Sequence, residues 1–191
     1  PLILAANHVN FLDVPVIYSR LMPRPVTGLV KAETWNNPIM AGLFDLWGGI
    51  PLRRGQADMA ALRQALSALQ AGQIVAVAPE GTRSGDGRLQ RGHPGIVLLA
   101  LHSGAPILPI AYFGGECLRD NLSRLQRTDF HILVGAPFTL KSVNGVVTRQ
   151  VRQNMLEEIM YQIAALLPPC YRGVYENRPT TAHEHLHFLS I

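Results

Sequence analysis

Lysine is almost missing from this chain of 191 residues: Lys31 and Lys141 stand against fifteen arginines. The planar guanidinium fork suits phosphate and carboxylate groups, but an arginine-leaning genome produces the same count, so positions carry more information than numbers. Charged residues are few, at 16%, while hydrophobic residues reach 48%. Even so, no apolar run approaches the ~20 residues of a membrane span. The longest, Gly95–Leu101 and Pro106–Phe113, are short enough to be core elements. Cysteine is scarce too. Cys117 and Cys170 form no C-x-x-C pair, which predicts reduced thiols in a cytosolic compartment and no disulfide frame. No signal-peptide pattern is visible. The G-x-S-x-G elbow of serine hydrolases and the G-x4-G-K-S/T loop of nucleotide enzymes are both missing. Aromatics make up only 7%, the net charge is a modest +4 and the arginines are scattered. Nucleic acid is therefore not an expected partner.

What is present alternates strand with helix. Apolar runs predict strands at Leu2–Ala6, Thr27–Lys31, Gly48–Leu52, Ile74–Ala78, Pro106–Phe113 and Phe130–Val134. Helical spacing marks Val16–Met22, with Asp13 as its cap, then Pro38–Trp47, Asp58–Ala71, Pro94–Ser103 and a long Val147–Leu167. The pattern predicts an α/β layered domain, a mostly parallel central sheet flanked by helices. Ligands then belong beyond the carboxyl ends of the strands. Residues 1–170 are expected to form one catalytic domain and 171–191 a poorly packed C-terminal tail. Because the chain opens on Pro1, a preceding segment is expected, and it could carry a membrane-binding element.

Two strand ends carry reactive groups. The first strand runs into Asn7-His8, with Asp13 five positions after the histidine. A carboxylate that accepts from one imidazole nitrogen leaves the other free to take a proton. The same residues also read as a helix cap beside a loop histidine, and spacing alone leaves both readings open. The strand Ile74–Ala78 ends in Pro79-Glu80-Gly81-Thr82-Arg83-Ser84. Arg83, Thr82 and main-chain N–H groups could hold a phosphate there. A solvated turn is the plainer alternative, though such a turn has no need of Glu80 and Arg83 beside a buried strand.

Taken in order, Asn7-His8 with Asp13, Gly49-Ile50-Pro51-Leu52-Arg53-Arg54-Gly55, Pro79 to Ser84, and Pro106-Ile107-Leu108-Pro109-Ile110 resemble four motif blocks of one family. It is the 1-acylglycerol-3-phosphate and glycerophosphate acyltransferases, and the likeness runs from about Leu2 to Ala111. The resemblance implies that His8 is the general base for the acceptor hydroxyl and that Asp13 orients it, with direct transfer from a thioester. It implies that Arg53, Glu80, Gly81, Thr82 and Arg83 bind the acceptor, and that Pro109 shapes the donor side. The acceptor would be a lysophosphatidate-like glycerolipid in phospholipid biosynthesis, and the donor acyl-CoA or acyl-ACP, with acyl carrier protein as a further partner. No metal or other cofactor is implied. The place of work would be the cytoplasmic face of the cell membrane, reached peripherally or through the preceding segment.

There are departures from the family pattern. Arg91-Gly92 is followed by His93-Pro94 where many relatives place small residues, and sequence does not decide between Arg53 and Arg54. Trp35, Phe44 and Trp47, on or beside the predicted helix Pro38–Trp47, could seat the domain in lipid headgroups or pack inside it. His183, His185 and His187 alternate as a loose metal-binding tract would, but a frayed tail explains them more simply.

Overall fold

A computed structural model describes residues 1–11, 13–55, 58–141, 147–177 and 183–190. The strands are β1 (Leu2–Ala6), β2 (Val26–Lys31), β3 (Ile50–Leu52), β4 (Ile74–Val77), β5 (Ile107–Phe113), β6 (His131–Val134), β7 (Phe138–Leu140) and β8 (Leu186–Phe188). The helices are α1 (Asp13–Leu21), α2 (Pro38–Leu46), α3 (Met59–Gln70), α4 (Gly95–Ser103), α5 (Leu118–Ser123) and α6 (Arg149–Leu166). Among the described residues the strands form one sheet in the order β3-β2-β4-β1-β5-β7-β8, with β6 also paired to β5. From β3 to β5 every neighbour is parallel, and each pairing beyond, β5 with β6, β5 with β7 and β7 with β8, is antiparallel.

β1 lies at the centre because it is apolar on both faces. Ile3 and Ala5 face a core built with α3, α4 and α6, whereas Leu4 and Ala6 face a second cluster with Ile74, Ile110 and Tyr112. A strand covered on both sides reads as a continuous hydrophobic run, as Leu2–Ala6 does. Each large side chain buried there contributes roughly 1.5–3 kcal/mol, so the end of β1 is a rigid mount. β4 is inserted between β1 and β2, and its register, Ala5 opposite Val77, brings the two strands to their carboxyl ends side by side.

The C-terminal stretch differs from its expectation. Tyr175 and Leu186 are 2% and 3% exposed and belong to the main core. β8 pairs with β7, and His185 bonds Glu158 of α6 through both its ring Nδ1, at 2.7 Å, and its main-chain N–H. The histidines therefore tie the segment to α6. His183 meets Gln162 and packs edge-on against Phe188. These pairings join residues far apart in sequence, which local patterning does not register. α2 also turns differently. Phe44 is buried, Trp47 stacks on Tyr18 with centroids 4.8 Å apart, and Ile39 and Leu46 face outward at 80% and 81% exposure. The aromatics are internal packing, held further by Tyr18 Oη donating to the Trp47 carbonyl at 2.8 Å.

Candidate active site

The site starts where β1 leaves the sheet. Asn7, 2% exposed, uses its side chain in place of ladder bonds: Nδ2 donates to the Tyr112 carbonyl at 2.8 Å and Oδ1 accepts from Tyr112 N–H at 2.7 Å. This clamp ends the β1–β5 pairing and leaves His8 as the next residue. A polar side chain closing an apolar strand was the available signal for Asn7, and residue type alone assigned it no role.

His8 and Asp13 come together across the turn into α1. His8 Nδ1 lies 2.8 Å from Asp13 Oδ2, which also accepts from the main-chain N–H of Val9 at 2.7 Å and of Asn10 at 3.1 Å. Asp13 is the first residue of α1, and its carboxylate is turned back onto the loop before it. The expected cap is thus a clamp on the histidine loop. With Asp13 accepting, the ring proton belongs on Nδ1 and Nε2 keeps its lone pair. The other oxygen, Oδ1, is buried without a hydrogen-bond partner among the described residues.

The second strand end locks onto the first. Glu80 is 2% exposed, and both its oxygens are engaged: Oε1 by His8 N–H at 2.7 Å and Oε2 by Gln90 N–H at 2.7 Å. Ser84 N–H donates to the His8 carbonyl at 2.8 Å. Burial pushes the Glu80 carboxyl up to about 7, against the two N–H groups, with Asp13 and Asp86 adding to the rise. Glu80, which the resemblance assigns to the acceptor, is here a tie between the His8 loop and the Gln90 loop. Gly81 has φ +67°, and a Cβ there would lie 3.0 Å from His93 Cδ2, so a turn and a close approach both call for glycine. Thr82 and Arg83 are exposed at the rim.

The arginines of the second block part company after β3. Arg53 donates its N–H to Asp58 Oδ2 at 2.9 Å, and its charge acts on that carboxylate. Partial burial lowers the Arg54 guanidinium from its usual value; Glu33 opposes the shift and Arg83 adds to it. Arg54 thus has charges of both signs acting on it, Glu33 and Arg83. Asn10 adds a last constraint, donating Nδ2 to the Gly115 carbonyl at 2.7 Å and fixing the turn against the segment after β5.

Comparison with known proteins agrees with this frame. A family model described as Acyltransferase matches residues 1–113. A lyso-ornithine lipid O-acyltransferase of Pseudomonas aeruginosa is 27% identical over 172 residues, covering 80% of this chain and 66% of that protein. A chloroplastic 1-acyl-sn-glycerol-3-phosphate acyltransferase of Brassica napus is 28% identical over 60% of this chain and 33% of its own length. One from Limnanthes alba is 32% identical over 57% of this chain and 40% of its own. The chain thus spans about two thirds of the bacterial relative and a third to two fifths of the plant enzymes. The crystal structure of the 1-acyl-sn-glycerophosphate acyltransferase PlsC from Thermotoga maritima superposes with a TM-score of 0.60 at 24% identity, over 86% of this chain and 64% of that one; at this identity the likeness is one of fold. The matched residues hold the β1 to β5 frame and both loops that meet at His8, and the chain belongs to the acyltransferase family.

Proposed function

We propose that the protein transfers a fatty acyl group from a thioester, acyl-CoA or acyl-ACP, to the free hydroxyl of a lysophosphatidate-like glycerolipid, a step of phospholipid biosynthesis. The observation that carries this reading is the His8 Nδ1 to Asp13 bond of 2.8 Å at a strand end, in a loop pinned by Glu80 and Ser84. His8 Nε2 takes the acceptor's hydroxyl proton as its oxygen attacks the thioester carbonyl. Asp13 holds the imidazolium that results. When the tetrahedral intermediate collapses, the C–S bond breaks and the departing thiolate receives that proton. Protein groups and two substrates balance the reaction, with no acyl-enzyme. Arg54 and Arg83, exposed beside the strand end, supply the cations for the acceptor's anionic head, with Thr82 as an adjacent donor; Arg53 sits one residue away, next to Asp58.

A second acceptor is favoured by one observation. The Pseudomonas aeruginosa relative, which matches 80% of this chain, is named for a lyso-ornithine lipid. An arginine pair accepts a carboxylate as readily as a phosphate. Both readings are tested by thioester consumption over a panel of lysophosphatidate, glycerophosphate and lyso-ornithine lipid, with His8→Ala as the control. Consumption that depends on His8 and on one acceptor supports the reading and selects the head group. No His8-dependent consumption with any acceptor refutes it.

The substrates are amphiphiles, and no helix among the described residues is long and apolar enough to cross a membrane. A peripheral seat at the cytoplasmic face is therefore proposed, with Ile39 and Leu46, seven residues apart on the outer face of α2, as its apolar contact.

A further inference from the structure

A cleft of about 790 Å³ opens beside the Glu80–Ser84 loop. It is walled by that loop, by Arg88, Arg91 and His93, and by the 3₁₀ turns after α6, with Cys170 on its lining. Its size is that of a small-molecule site. We infer that this cleft receives the phosphopantetheine arm of the thioester donor, with Arg88 and Arg91 on its phosphate. The inference rests on the acyl-transfer reading.

Three observations carry it. First, direct transfer needs both substrates bound at once, and both carry anionic groups. Two anions repel, so they require separate cationic sites. Arg54 and Arg83 are proposed for the acceptor, and Arg88, Arg91 and His93, which line the cleft, are left for the donor. Second, the lining matches the arm's chemistry. Ser84 and Gln90 offer hydrogen-bonding groups for its amides, and the exposed Val174 offers apolar surface for its methyl groups. Asp86 and Glu176 also line the cleft, and Asp86 already accepts from Arg88 N–H at 3.0 Å. Third, the walls are built rigidly. Leu89 N–H donates to the Tyr171 carbonyl at 2.9 Å, and Gly92 N–H donates to Tyr175 Oη at 3.2 Å. A Cβ on Gly92 would fall 2.9 Å from Met160 and 3.0 Å from Leu156, so only glycine lets this wall lie against α6. A cleft prepared in this way loses little entropy on closing around a flexible ligand.

Cys170 is exposed and provides the test. In a Cys117→Ser background, alkylation of Cys170 by a maleimide is followed with and without S-decyl coenzyme A, a thioether that cannot transfer. Protection is expected, and S-decyl 4′-phosphopantetheine should protect as well, while S-decyl pantetheine should need at least tenfold more. If only the intact nucleotide protects, coenzyme A is the source of the arm; if the shorter phosphate suffices, a carrier protein can supply it too. Arg88→Ala with Arg91→Ala should raise the donor concentration for half-protection and the donor KM by roughly tenfold or more, leaving acceptor KM in place. Transfer that proceeds normally while saturating thioether leaves Cys170 unprotected overturns the assignment alone. Protection by the lysolipid instead of the thioether gives the cleft to the acceptor and also overturns it. Equal protection by unphosphorylated pantetheine removes the phosphate contact. Thioether protection without any acyl transfer would keep the site and refute the proposed reaction.

Discussion

The two sides of the site are built by different means. Around His8 almost everything is buried and bonded twice: Asp13 and Glu80 are each 2% exposed and together hold five hydrogen bonds from the loops they join. Around Arg54 and Arg83 the residues are exposed. Chemistry demands a fixed base, since a small misplacement of a reacting group raises the barrier steeply. Recognition of a mobile lipid head tolerates long, solvated side chains that close on the ligand. Changes on the buried side should therefore act on kcat, and changes on the exposed side on KM.

The largest effect is expected at His8. His8→Ala should lower kcat by ~10²–10⁴-fold with the fold intact, measured by thioester consumption beside far-UV circular dichroism. Asp13→Asn should cut kcat severely too, because a neutral amide cannot hold the imidazolium. If Asp13→Asn turns over normally, the carboxylate serves only to shape the loop.

On the exposed side, Arg54→Ala and Arg83→Ala should each raise acceptor KM by roughly 10- to 150-fold, the worth of a charge-assisted hydrogen bond. Lysine replacements should restore part of the loss, since the fork is gone. Arg53→Ala should do less, its charge being directed at Asp58. Steady-state kinetics with each substrate varied in turn makes the measurement. A larger effect at Arg53 than at Arg54 would reverse the assignment of the pair.

Glu80 sharpens the contrast through pH. Its folded value of about 7 lies above the ordinary carboxyl value of 4.5. The folded state therefore holds this proton more tightly than the unfolded chain does. Its stabilisation is complete below about 4.5 and is lost as pH rises towards 7, a total change on the order of 3 kcal/mol. In thermal unfolding, Glu80→Gln should be less stable overall, because an amide sets a donor against a main-chain N–H, and should show a flatter profile across this window. An unchanged slope would place the titration elsewhere.

The smallest effect concerns α2. Ile39→Ser with Leu46→Ser should weaken co-sedimentation with anionic liposomes several-fold without unfolding the domain, as both side chains are exposed. Phe44→Ser should instead destabilise it, by about 3 kcal/mol or more, because that ring is core. Liposome binding indifferent to the α2 pair would move the seat to another surface.

Much of this was legible in the linear chain. Continuous apolar runs determined the parallel strands, because a strand buried on both faces has no polar face to show. The blocks at His8 to Asp13 and at Glu80 to Arg83 were legible because each is short, lies at a strand end and carries residues that a plain turn does not need. Only the tertiary structure decided the rest, wherever the deciding contact is remote. Insertion of β4 beside β1 makes Glu80 a tie on His8, and nothing within either segment foretells it. The hold of Asp58 on the Arg53 main chain depends on where β3 ends relative to the start of α3. Trp47, just after α2, packs on Tyr18 of α1 and against Phe44, which α2 buries. The last strand exists because β7, about 45 residues earlier, exposes an edge for it to pair with. Local pattern encodes which residues prefer to be buried or to bend, while the partner that completes each arrangement is set by sheet order and register.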